Sequence, residues 1–120
     1  MTVPENDEGS MAALALFSSD ADGLTVVRVE GILDATTRKQ FADHLAGVGP
    51  DLILDLAGVT FMDSRALGLI VHQWQEATSS GSRFALVGVQ YSKSKVMWIT
   101  GLAQRLPLYD TLDEALAALT

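Results

Sequence analysis

Apolar positions along the chain switch between a period of two and a period near 3.6, and the switches mark out the elements. A short apolar run, "MAALALF" (Met11 to Phe17), leads into "SSDADG", where Asp22-Gly23 is a strong turn signal. "LTVVRVEG" follows and is rich in β-branched residues, so the two runs are expected to pair as an antiparallel hairpin. In "LDATTRKQFADHLAG" the period becomes helical: Thr37, Phe41 and Leu45 share one face, Asp34 is the expected N-cap and Gly47 the stop. Gly49-Pro50 then turns the chain into "DLILDLAG", whose continuous Leu52-Ile53-Leu54 run suits an interior strand covered on both faces.

The next switch, in "FMDSRALG" (Phe61 to Gly68), is abrupt. Two apolar residues give way to an acid and a hydroxyl, and a helical face of Leu67, Ile70, Val71 and Trp74 begins at once, running to the "SSGS" break near Ser79. "RFALVGV" reads as another buried strand, and "SKSKVMWITG" as a shorter helix with Ser92 as its cap and Gly101 as its stop. "RLPLYD" suits an edge strand, since Pro107 lacks the N–H an interior strand needs. "TLDEALAALT" opens on Thr111-x-x-Glu114, a capping box, and closes the chain as a helix. The order β-β-α-β-α-β-α-β-α, with no internal repeat, predicts one α/β domain over residues 11–120 built on a mixed sheet. The acidic, polar stretch of residues 1–10 is expected to be a disordered tail.

Charge narrows the functional classes. The 120 residues carry a net charge of −7, which disfavours nucleic acid and anionic membrane surfaces and favours a partner with a basic patch. No apolar run approaches the roughly 18 residues of a membrane helix, and the chain holds no cysteine for disulfide or thiolate chemistry. A cytoplasmic protein fits this composition. There is no phosphate-cradling glycine loop and no nucleophile elbow. His72 lies two turns beyond Ser64, about 12 Å by helical rise, too far to activate it, and neither His44 nor His72 has an acidic neighbour at metal-ligand spacing. Neither an enzyme nor a cofactor is expected.

Asp63 and Ser64 are first of all a helix start, with the acid as N-cap. Their position adds something further. They leave the carboxyl end of a strand, where α/β sheets present their sites, and Asp34 opens the neighbouring helix on the same edge. A phosphate on Ser64 would add about −1.5 to −2 charge units to this acidic ridge, in the positive field of a helix N-terminus. A docked partner would feel that change without refolding of the domain.

The chain resembles the STAS domains, in particular the stand-alone anti-sigma factor antagonists, from Leu24 onward. "VVRVEGILDATT" is similar to the family's strand ending in Gly-x-Leu-Asp, and "LILDLAGVTFMDSRALGLIV" to its strand, loop and Asp-Ser segment. "SRFALVGV" and "VMWITGL" resemble its later strand and helix end. The resemblance implies a curved, mixed four- to five-stranded sheet with about four helices, mainly on one side. It also implies partner switching: the unphosphorylated domain binds an anti-sigma factor that is a serine kinase, releasing a sigma factor, until phosphorylation at Ser64 ends the complex and a phosphatase resets it. The implied partner-binding residues are Asp34, Thr36, Asp63, Ser64, Arg65, Ala66 and Leu69, in a monomer or weak dimer. The resemblance departs at Arg65 and Ala66, where the family usually has Ser or Thr and then Gly. Arg65 sets a cation beside the phosphoacceptor, and Ala66 adds a methyl on the expected path of a kinase. Leu69 is expected on the helix face turned from the core, Trp98 as a packing residue, and Lys93 and Lys95 as a solvated helix face. Two other readings compete: an unphosphorylated STAS scaffold subunit of a lipid-transporter or stress-signalling complex, and a small nucleotide-binding or hydrolytic domain.

Overall fold

The computed structural model describes residues 13–120; the acidic tail of residues 1–10 and the first residues of the apolar run, Met11 and Ala12, lie outside the described residues. The hairpin forms from β1 (Leu14–Ala21) and β2 (Leu24–Leu33), so the first strand continues through Ser18–Ala21 instead of ending at Phe17. Asp22 (φ 53°) and Gly23 (φ 82°) both take positive φ, the backbone a two-residue turn needs to match strand twist. Helix α1 (Arg38–Ala46) follows, then β3 (Leu52–Met62), α2 (Ser64–Ser80), β4 (Phe84–Val87), α3 (Lys95–Ile99), β5 (Leu108–Tyr109) and α4 (Leu112–Leu119). Short 3-10 turns at Tyr91–Lys93 and Leu102–Gln104 flank α3. The five strands lie in sequence order, with β1 antiparallel to β2 and the other pairs parallel.

Side chains of successive strand residues point to opposite faces, and the core divides accordingly. Leu52, Leu54, Val27, Val29 and Leu86 pack on the side covered by α1, α2 and α3, through Phe41, Leu67, Ile70 and Met97. Ile53, Val26, Ala85 and Val87 face α4, where Ala115 is buried among Leu112, Leu116 and Leu119. Each fully buried large apolar side chain contributes about 1.5–3 kcal/mol relative to exposure. The continuous run in β3 is thus explained: both of its faces are covered.

Two register irregularities, between Arg28 and Glu30 and between Gly31 and Ile32, break the β2–β3 ladder. Bulges of this kind bend a strand and re-aim its side chains. Along β3 the inward positions then step by three, from Leu56 to Val59 to Met62, which leaves Phe61 turned to solvent at 52 % exposure. Gly31 sits at the second irregularity with φ 113°, and a Cβ there would lie 2.1 Å from the Ala13 carbonyl oxygen. Only glycine fits, which accounts physically for the glycine in "EGILD".

Three cap assignments differ from, or extend, the expectation. Asp34 does not cap α1; Thr37 occupies the N-cap, and its side chain makes no capping bond. Ser94, not Ser92, precedes α3, again without a capping bond, while Ser92 lies inside the 3-10 turn. At α4 the Thr111 side chain accepts from the Glu114 N–H, while Glu114 reaches back to the Asp110 N–H.

Candidate functional site: the Ser64 groove

Leu33 and Met62 are partners at the carboxyl ends of adjacent parallel strands, and the Asp63 N–H donates to the Leu33 carbonyl at 2.9 Å. Asp34 and Asp63 therefore leave the sheet side by side. Asp63 keeps extended backbone (φ −102°, ψ 177°), and its Oδ1 accepts from the N–H groups of Arg65 and Ala66, both at 3.0 Å. Those bonds satisfy two of the donors that a helix start leaves open, so α2 begins at once with Ser64 as its first residue. Ser64 is exposed, and among the described residues its hydroxyl has no hydrogen-bond partner.

The Asp34 junction is closed differently. Asp34 Oδ1 accepts from the Thr36 N–H at 2.8 Å and from the Thr36 hydroxyl, forming a turn. Thr37 locks that turn from inside: it is 5 % exposed, accepts from the Asp34 N–H and donates to the Ile32 carbonyl at 2.8 Å. The Thr36 hydroxyl holds the Asp34 carboxyl below its ordinary pKa of 3.8, backbone N–H groups of Thr36 and Thr37 add to this, and partial burial opposes it. Asp34 is thus a fixed anion on this edge at neutral pH.

Between the start of α2 and the segment carrying α3 lies a groove of about 460 Å³. Phe61, Met62, Val96 and Ile99 form its apolar walls, with Ile99 80 % exposed. Its polar lining is Asp63, Ser64, Ser92, Lys93 and Lys95. The lysine-bearing wall is well anchored: Gln90 Nε2 donates to the Ala57 carbonyl at 2.8 Å, Ser94 and Met97 are buried, and Tyr91 meets Trp98 edge to face at 5.2 Å. Ser94 Oγ is buried at the start of α3 without a hydrogen-bond partner among the described residues. Trp98 is a packing residue at the edge, as expected, and remains 36 % exposed.

Of the residues expected at a partner surface, Asp34, Thr36, Asp63, Ser64 and Arg65 gather on this edge. Two do not. Ala66 is 1 % exposed and belongs to the core, so its methyl points away from anything approaching Ser64. Leu69 is half-buried against the core, in a recess it shares with Ala42, Leu45 and His72 between α1 and α2. At five residues from Ser64 it lies on a different side of the helix. Conversely, Lys93 and Lys95 are more than a solvated face, because they line the Ser64 groove. Sequence spacing missed them, together with Phe61 and Ile99; the only available signal was the "SKSK" pair in an acidic chain.

Among the described residues, no cluster of three or more His, Cys, Asp or Glu side chains is placed to hold a metal, and no helix is long and apolar enough to cross a membrane. His44 is hydrogen-bonded to Ser18 Oγ at 2.7 Å.

The model of the STAS domain matches residues 19–115. The chain belongs to the STAS domain family. A Thermotoga neapolitana protein provisionally named an anti-sigma factor antagonist homolog is 38% identical over 65 residues, 54% of this chain and 58% of that relative, so the match spans little more than half of the relative's length. The anti-sigma F factor antagonist of Paenibacillus polymyxa is 28% identical over 102 residues, covering 81% of this STAS domain and 87% of the relative. Among solved structures, an anti-sigma factor antagonist from Mycobacterium paratuberculosis superposes with a TM-score of 0.78 at 29% identity, over 88% of this chain and 93% of that one. These relatives bear the names of regulatory proteins, not of enzymes, and the five-stranded mixed sheet with four helices is the STAS fold.

Proposed function

We propose that this STAS domain is a cytoplasmic anti-sigma factor antagonist. With Ser64 unmodified it binds an anti-sigma factor that is also a serine kinase, and so frees a sigma factor. Phosphorylation of Ser64 ends the complex, and a phosphatase restores it. The observation that carries the reading is the exposed Ser64 hydroxyl at the first position of α2, without a hydrogen-bond partner among the described residues, beside Asp34 and Asp63 at adjacent strand ends. Relatives named anti-sigma factor antagonists support it. The burial of Ala66 supports it too, since the methyl does not stand between Ser64 and a kinase. A phosphate would add about −1.5 to −2 charge units and new bulk to an edge that already carries two carboxylates, changing the charge and shape that a docked partner must match.

Intact mass after incubation with the cognate anti-sigma kinase and ATP tests the reading. A gain of about 80 Da, one phosphoryl group, is expected for the native chain and none for Ser64→Ala. Ser64→Glu is expected to weaken the complex by at least about tenfold. Tight binding to the kinase with no change of mass would remove the switch and leave a scaffold.

A further inference from the structure

We propose that Lys93 and Lys95 form a clamp for the phosphoryl group of phospho-Ser64, closing the groove across from α2. This rests on the reading of Ser64 as a phosphoacceptor and concerns how the modified state is held. Two of the first-turn N–H groups that would ordinarily receive an anion are already taken, since Asp63 Oδ1 accepts from both Arg65 and Ala66. A phosphate on Ser64 therefore stands next to the Asp63 carboxylate with little help from the helix start, and needs cations from elsewhere.

The opposite wall supplies them. Lys93 and Lys95 line the groove that Ser64 lines, and both side chains are exposed. They are two of only three lysines in a chain with fifteen acidic residues. The third, Lys39, is paired with Asp43 at 2.7 Å, whereas neither groove lysine forms an ion pair among the described residues. Both are cations that the described residues leave without an acidic partner, available to a charge placed on Ser64. Their backbone is held by the buried residues Ser94 and Met97, so only the flexible lysine stems must order. Phe61 and Ile99 flank the pair but are themselves 52 % and 80 % exposed, so the attraction is that of charges in contact with solvent, with two lysines acting together on one phosphate. The charged groups around the phosphate are then Asp63 and, one strand end away, Asp34, opposed by Lys93, Lys95 and the neighbouring Arg65. Phosphorylation thus changes two features at once: it adds an anion at Ser64 and withdraws two lysines and the groove between them from any partner.

The test installs phosphoserine at position 64 during translation, so no kinase is needed and failure of the switch reading leaves it intact. Phosphorus NMR against pH is expected to give a second phosphate ionisation about one pH unit lower in the native background than in Lys93→Gln/Lys95→Gln, because the lysines favour the dianion. In the unsubstituted protein, the side-chain Nζ resonances of Lys93 and Lys95 are expected to shift on comparing Ser64 with phospho-Ser64, while Lys39 stays still. This second readout stands even if the double variant folds poorly. Equal ionisation midpoints in two folded proteins, or lysine resonances that ignore the phosphate, would overturn the clamp. In that case a failed kinase assay and a failed clamp are told apart, since each uses a different source of the phosphate.

Discussion

Two strand-to-helix junctions sit side by side on one sheet edge, each begins with aspartate, and they are built in opposite ways. At Met62–Arg65 the acid caps the helix with its own side chain, and the hydroxyl that follows is left free on the first helical residue. At Leu33–Arg38 the acid closes a turn on Thr36, the helix waits three residues, and a buried threonine does the holding. The residue type is the same; what differs is the number of residues between the acid and the first helical turn. That count decides whether a hydroxyl is presented to solvent or consumed inside the fold. The edge therefore sets a rigid anion at Asp34 beside an exposed hydroxyl at Ser64.

Removing each holding group separates the two constructions. Thr37→Val keeps the shape but deletes a buried hydroxyl that serves both the Asp34 N–H and the Ile32 carbonyl. It is expected to cost about 2 kcal/mol in chemical denaturation, as for partners left unsatisfied in the interior. Asp63→Ala removes an acceptor at a solvent-facing cap and is expected to cost about 1 kcal/mol. Its signature is faster amide exchange at Arg65 and Ala66, with the Thr37 junction unaffected. A larger loss for Asp63→Ala than for Thr37→Val would reverse the assignment of which junction is anchored from within.

The smallest effect is read in a titration. The Thr36 hydroxyl is the main reason the Asp34 carboxyl lies below 3.8, so Thr36→Val should return its carbon-detected NMR titration toward that value. The sign follows from linkage. A carboxyl whose folded pKa is depressed adds stability above its unfolded pKa and loses it as pH falls through the folded one. The stability difference between native and Thr36→Val should accordingly be present at neutral pH and vanish on acidification below about 3.8. An unchanged Asp34 titration would mean that the backbone N–H donors alone hold the anion.

Much of this molecule was legible because its signals are local. Periodicity placed the hairpin, the doubly covered strand at Leu52–Leu54 and the long helix after Asp63, since burial on one face dictates residue spacing within each element. Asp63 and Ser64 were legible as a cap followed by an exposed hydroxyl for the same reason: both partners of the cap lie within three residues. The Asp34 cap was misplaced because Thr37 competes for that role through the Ile32 carbonyl, five residues back and on the preceding strand. Leu69 looked exposed from its own helix, but α1 covers it.

The chain's own pattern thus determined the element order, the core faces and the position of Ser64 at the start of the long helix. Tertiary structure alone decided what surrounds that serine. Lys93 and Lys95 are about thirty residues from Ser64 in the chain and reach the same groove only because β4 pairs in parallel with β3 and returns the next segment to the same sheet edge. The inward turn of Met62 and the outward turn of Phe61 likewise depend on bulges between two strands, which neither strand specifies by itself. Local periodicity records which face of an element is buried; it carries no record of which distant charge will stand opposite, because that depends on how the elements are stacked.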